Sequence, residues 1–80
     1  MVTLRLHHSV YTRLHDNFGD NYKVKRAIDE EYDEVEVYCS ENAIVNWAVQ
    51  NSDCVEIIRP KSARKRILEK AEILLQKYQE

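Results

Sequence analysis

The sequence is poor in the residues that bend chains, with one glycine, Gly19, and one proline, Pro60, in 80 positions. A phosphate-cradling loop uses several glycines to bring backbone N–H groups against its ligand, so a loop of that kind is excluded. Cysteine is nearly as scarce. Cys39 and Cys54 have neither the CxxC spacing of a redox or zinc site nor the density of a secreted disulfide scaffold. Both are expected as buried or half-buried thiols behaving as small hydrophobes. Long apolar runs are missing: no stretch approaches the roughly 20 apolar residues that cross a bilayer. The opening "MVTLRLHHS" also lacks the basic-then-apolar order of a signal peptide, so a soluble, cytoplasmic protein is expected. An excess of one charge is absent as well. Twelve Lys and Arg stand against 14 Asp and Glu for a net −2, which removes a chain-wide grip on DNA and leaves room only for a local basic patch.

What is present is a balanced mixture, 44% hydrophobic and 32% charged, apolar enough to fold and too evenly charged for a disordered tail. At this length one core and one domain, residues 1–80, are expected.

Val2, Leu4 and Leu6 alternate with Thr3, Arg5 and His7, the two-residue period of a strand with one covered face. Ser9 stands where an N-cap belongs. Val10, Leu14 and Phe18 then recur at helical spacing, with Gly19 at the position where a helix ends in a left-handed residue. Tyr22, Val24, Arg26 and Ile28 alternate with Lys23, Lys25 and Ala27 in a second strand. "DEEYDE" reads as an acidic turn into a third, in which Val35, Val37 and Cys39 alternate with Glu36 and Tyr38. Ser40 is the N-cap of a helix whose stripe is Ala43, Ile44, Trp47 and Ala48, and which ends at Asn51, a residue able to take the left-handed geometry. "CVEII" is a fourth strand, stopped by Pro60, which has no N–H for a ladder and suits the first turn of a helix. From Lys61 the chain is helical, with Ala63, Ile67, Ala71, Leu74 and Tyr78 along one face and Leu68 and Leu75 widening it.

Strand, helix, strand, strand, helix, strand and terminal helix is an α+β order. It predicts a ferredoxin-like βαββαβ antiparallel sheet with an added C-terminal helix. In that topology the first strand separates the third from the fourth, which disfavours a bond between Cys39 and Cys54.

"VTLRLHHSVYTRLHDNFGDNYKVKRAI", "EVEVYC" and "ENAIVNWAVQNSDCVEIIRPKSARKRILEKAEILLQKY" together resemble the C-terminal extension, or WCX domain, of WYL-domain transcriptional regulators. The most specific part is a helix holding Trp47, then "VEIIRP", then Arg64 and a long helix closing on Tyr78. The sequence departs from the family pattern where a glycine usually precedes the last strand; Asn51 in "QNSD" stands there instead. The resemblance implies a fragment of a bacterial regulator lacking the upstream DNA-binding and WYL domains. It implies a non-catalytic module supporting dimer assembly and effector response. Its partners would be its own WYL domain and a second subunit, with DNA reached only through the missing reader, and no membrane.

Two local features are candidate contact sites. "KSARKR" places Lys61, Arg64, Lys65 and Arg66 in the first turns of the last helix, where the helix dipole disfavours cations. That cluster is either a dock for an anion or acidic partner or a solvated face with Lys65 supported by Glu69. The uncovered sheet face is expected to show Thr3, Arg5, His7, Lys23, Lys25, Glu36, Tyr38, Glu56 and Ile58. Arg5, Tyr38 and Ile58 are its contact candidates, and only Tyr38 offers a stacking surface for a base. The alternative function is a small nucleic-acid-binding module using "KSARKR" with Lys23, Lys25 and Arg5. No cofactor or metal is expected. His7 and His8 point to opposite faces of a strand, and His15 lies on a helix surface. No nucleophile, base and orienting group fall together, so an enzyme is not expected.

Overall fold

In the computed structural model, which describes residues 1–79, the first strand β1 (Val2–His7) becomes the spine of the sheet. Leu4 and Leu6 are wholly buried on its covered side. A 3-10 turn (His8–Val10) leads into helix α1 (Tyr11–Phe18); β2 (Tyr22–Ala27) and β3 (Tyr32–Val37) follow. Then come α2 (Glu41–Gln50), β4 (Val55–Arg59) and α3 (Lys61–Tyr78). The protein is α+β, with a four-stranded antiparallel sheet ordered β2-β3-β1-β4. Because β1 lies between β3 and β4, Cys39 and Cys54 sit at the ends of strands that are not neighbours. Both thiols are free and half-buried.

One face of the sheet makes the core. Leu4, Leu6, Val35 and Val37 meet Leu14 of α1 and Ile44, Val45 and Trp47 of α2. Each buried aliphatic side chain contributes roughly 1.5–3 kcal/mol. The Phe18 ring meets Trp47 edge-on at 5.8 Å, joining the two helices over the sheet. α3 packs along β4 and against α2, with Ala63 fully buried at the junction.

Several local expectations are corrected. Ser9 is not the N-cap of α1. It sits in the 3-10 turn, its N–H donating to His7 Nδ1 at 3.1 Å, and α1 starts behind Val10 without a side-chain cap. Gly19 does take a positive φ of 59°, but with ψ at −136°. The acidic turn is shorter than "DEEYDE". Tyr32, Asp33 and Glu34 already belong to β3, and Asp29 Oδ1 closes the turn by accepting the N–H groups of Glu31 and Tyr32, both at 2.8 Å. In α2 the buried stripe is Ile44, Val45, Trp47 and Ala48, while Ala43 is exposed. Asn51 keeps a negative φ of −117°. Its side chain ends the helix instead, Nδ2 donating to the Trp47 carbonyl at 3.0 Å beside its own N–H at 3.1 Å.

Candidate protein-contact surfaces

Two surfaces remain after the core is closed. The first is α3. Its helical period is unbroken from Ala63 to Tyr78, yet burial stops early: Ala63 is buried, Ile67 half-buried, and every residue from Ala71 to Tyr78 exposed. Leu68 is 64% exposed, Leu75 61% and Tyr78 82%, with Ile73 and Leu74 also open. Beside them runs an open groove of about 370 Å³ between α2, β4 and α3, floored by Val49, Val55, Ile57, Ile67 and Leu74. Among the described residues no helix is long and apolar enough to cross a membrane, and the apolar stripe of α3 alternates with charge.

The start of α3 is where sequence reading placed Lys61, Arg64, Lys65 and Arg66, and the structure divides them. Arg64 Nη1 donates to the Ile57 carbonyl at 2.6 Å and lies 3.5 Å from Glu56 Oε2, so it ties α3 to β4. Arg66 Nη2 donates to Asn42 Oδ1 at 2.8 Å, tying α3 to α2. Only Lys61 and Lys65 remain outward with no ion pair among the described residues. Half of the basic cluster is therefore spent on positioning the helix.

The second surface is the sheet face away from the helices. Cross-strand partners share a face, so the pairings Arg5 with Glu34 and Glu56, and Glu36 with Lys23, define it. A register shift between Val24 and Arg26 brings Arg26 opposite Glu34 on this face, whereas strict alternation had put it on the covered side. A second shift, between Thr3 and Leu4, sets Arg59 opposite Thr3 and leaves Ile58 half-buried at the irregularity. Thr3 itself is buried rather than displayed. Tyr38 stands at the end of the face, 49% exposed. Tyr32, read from sequence as part of a turn, is also on this face, where the Arg5 guanidinium lies 3.7 Å from its ring centroid and His7 meets its edge.

The ion pairs run across the strands. Lys25 Nζ lies 3.0 Å from Glu36, Arg26 3.0 Å and Arg59 3.6 Å from Glu34, and Arg5 3.6 Å from Asp29. Hydrogen bonding to Glu36 raises the Lys25 ammonium above its ordinary value. Backbone N–H groups of Glu31 and Tyr32 hold Asp29 below the usual carboxylate range. On the covered side Asp33 is the one strand carboxylate facing the helices; it accepts the Tyr11 hydroxyl and lies 3.1 Å from His8 Nε2. These partners lower the Asp33 carboxyl, while burial, followed by Asp33 itself, pushes the Tyr11 phenol well up.

No group of three or more His, Cys, Asp or Glu positioned to hold a metal occurs among the described residues. His7, His8 and His15 each pair with a different carboxylate, Glu31, Asp33 and Asp20. Compared with protein-family models, with curated proteins and with solved structures, the chain matches none of them.

Proposed function

We propose that this protein is a non-catalytic assembly module that joins a second copy of itself through α3. The observation that carries the reading is the exposed apolar face of α3, Leu75 and Tyr78 with Leu68 and Leu74, the last two also lining the apolar groove beside it. A helix face and a groove on one chain satisfy a two-fold interface, in which each copy offers both. A stable interface covers about 800 Å² per partner, roughly one-seventh of this chain's 5547 Å². The rim of the helix face bears Glu69 and Glu72 with Lys70 and Lys77, so a second copy meets no wall of like charge.

The fold reading that accompanies this is ferredoxin-like. It is supported by the central pair β3 and β1 flanked by β2 and β4, and by two helices packed over one face. The likeness to the WCX domain supplies the wider setting: a WYL-type bacterial transcriptional regulator in the cytoplasm, with its own WYL domain and a second subunit as neighbours. In that setting assembly of the modules brings together DNA readers that lie elsewhere in the regulator.

The test is light scattering of the chain beside Leu68→Glu and Leu75→Glu variants. The proposal expects a dimer that each substitution converts to a folded monomer. A monomeric parent chain at high micromolar concentration, or a dimer indifferent to both substitutions, would overturn it.

A further inference from the structure

We infer that the open sheet face is a docking floor for an acidic protein segment, separate from the α3 surface. By count the strands of this face carry a surplus of two cations: Arg5, Lys23, Lys25, Arg26 and Arg59 stand against Glu34, Glu36 and Glu56. Height adds to the surplus. The Glu34 and Glu36 side chains are only 13% and 14% exposed, sunk along the central strand, whereas Arg26 and Arg59 are 67% and 62% exposed and Lys25 41%. Along β3 the cations therefore stand above the carboxylates; the exposed carboxylates lie at the margins, Glu56 on β4 paired with Arg64 at 3.5 Å, and Asp29 and Glu31 in the turn paired with Arg5 and His7.

The arrangement follows from the two register shifts. Without the shift in β2, Arg26 would point to the covered side. Without the shift in β4, Arg59 would not stand opposite Thr3. Both arginines converge on Glu34 from opposite edges of the sheet, β2 and β4. One carboxylate offsets one of two guanidiniums, leaving a surplus cation above the middle of the face. The rest of the molecule carries the compensating negative charge, since the whole chain is −2 and this face is positive. A floor of this sign on an acidic protein attracts an anionic partner and repels other surfaces of its own kind.

The aromatic content decides the class of partner. A single strand of nucleic acid needs flat rings on which successive bases stack. Of the two tyrosines on the face, Tyr32 is capped by the Arg5 guanidinium and edged by His7, leaving only Tyr38 at the margin. An extended acidic peptide needs no stacking platform, and its carboxylates match the guanidinium forks of Arg26 and Arg59.

The test is a titration of the ¹⁵N-labelled chain with a capped oligoglutamate peptide and, separately, with oligothymidylate, each at low and at physiological salt. The peptide is expected to shift the amides of Lys23, Lys25, Arg26 and Arg59 and to bind more weakly as salt rises. The Arg26→Ala, Arg59→Ala double variant is expected to lose about fivefold or more in affinity. Glu34→Gln, which frees both arginines, is expected to bind more tightly than the parent chain, and it keeps the test open should the double variant not fold. No peptide binding, shifts confined to the start of α3, or tighter binding of oligothymidylate would overturn the inference.

Discussion

At the scale of single residues, the positions that depart from expectation are polar groups that found local partners. Asp33 is the clearest. A carboxylate on the covered face of β3 breaks the alternation that marks a strand, and the sequence pattern accordingly starts the strand at Val35. The structure tolerates Asp33 there because the Tyr11 hydroxyl and His8 surround it, two residues that only the fold brings close. Its lowered titration makes a prediction with a definite sign. A carboxyl held below its ordinary 3.8 in the folded state stabilises the fold above that value, and the contribution is lost as the pH falls through the lowered one. Asp33→Asn should therefore unfold at lower urea than the parent chain at neutral pH, with the gap closing as the pH drops from about 5 towards 2. Parallel urea titrations at several pH values would show this, and a gap independent of pH would refute it. Gly19 gives a second prediction. Nothing lies within 4 Å of where a Cβ would stand, so Gly19→Ala costs only the backbone strain of φ 59° with ψ −136°, about 1–3 kcal/mol of stability by chemical denaturation.

At the scale of elements, the strands and helices with an unbroken apolar period were legible in sequence, and those decided by long-range pairing were not. Val2, Leu4 and Leu6 announce β1, and Ala63, Ile67 and Leu74 announce α3, because periodicity is local information. The shifts in β2 and β4 are set by the partner strand, so the positions of Arg26 and Arg59 could not be read from alternation. Asn51 was legible as a helix end but not as a side-chain cap, since asparagine can end a helix either by a left-handed backbone or by donating its amide to a helix carbonyl, here that of Trp47. The same distinction applies to "KSARKR". Four cations in six residues read as one patch, while the fold uses Arg64 and Arg66 to orient α3 against β4 and α2. Arg64→Ala is expected to destabilise the chain by about 1–2 kcal/mol, since it removes a charge-assisted bond to a strand carbonyl. Leu14→Ala, emptying a wholly buried site under α1, should cost about 2–5 kcal/mol and serves as the scale for that comparison in thermal or urea unfolding.

At the scale of the whole molecule, the chain spends its apolar residues in two ways. Among the described residues fourteen hydrophobic side chains close a core between the sheet and the three helices, and the last turns of α3 hold Ile73, Leu74, Leu75 and Tyr78 in the open, along a body extending 40 Å in its longest direction. The N-terminal part of α3 is fixed to the domain by Ala63, Arg64 and Arg66, so the helix presents its distal face in a defined direction. A face held in place in this way loses little freedom when a partner covers it, which is what makes it suited to assembly. The most direct measurement is sedimentation equilibrium of the unaltered chain over a range of concentrations, at low and at high salt. Assembly through the apolar face of α3 predicts a monomer–dimer equilibrium whose dissociation constant changes little with salt. A monomer throughout, or a dimer that salt dissolves, would contradict it.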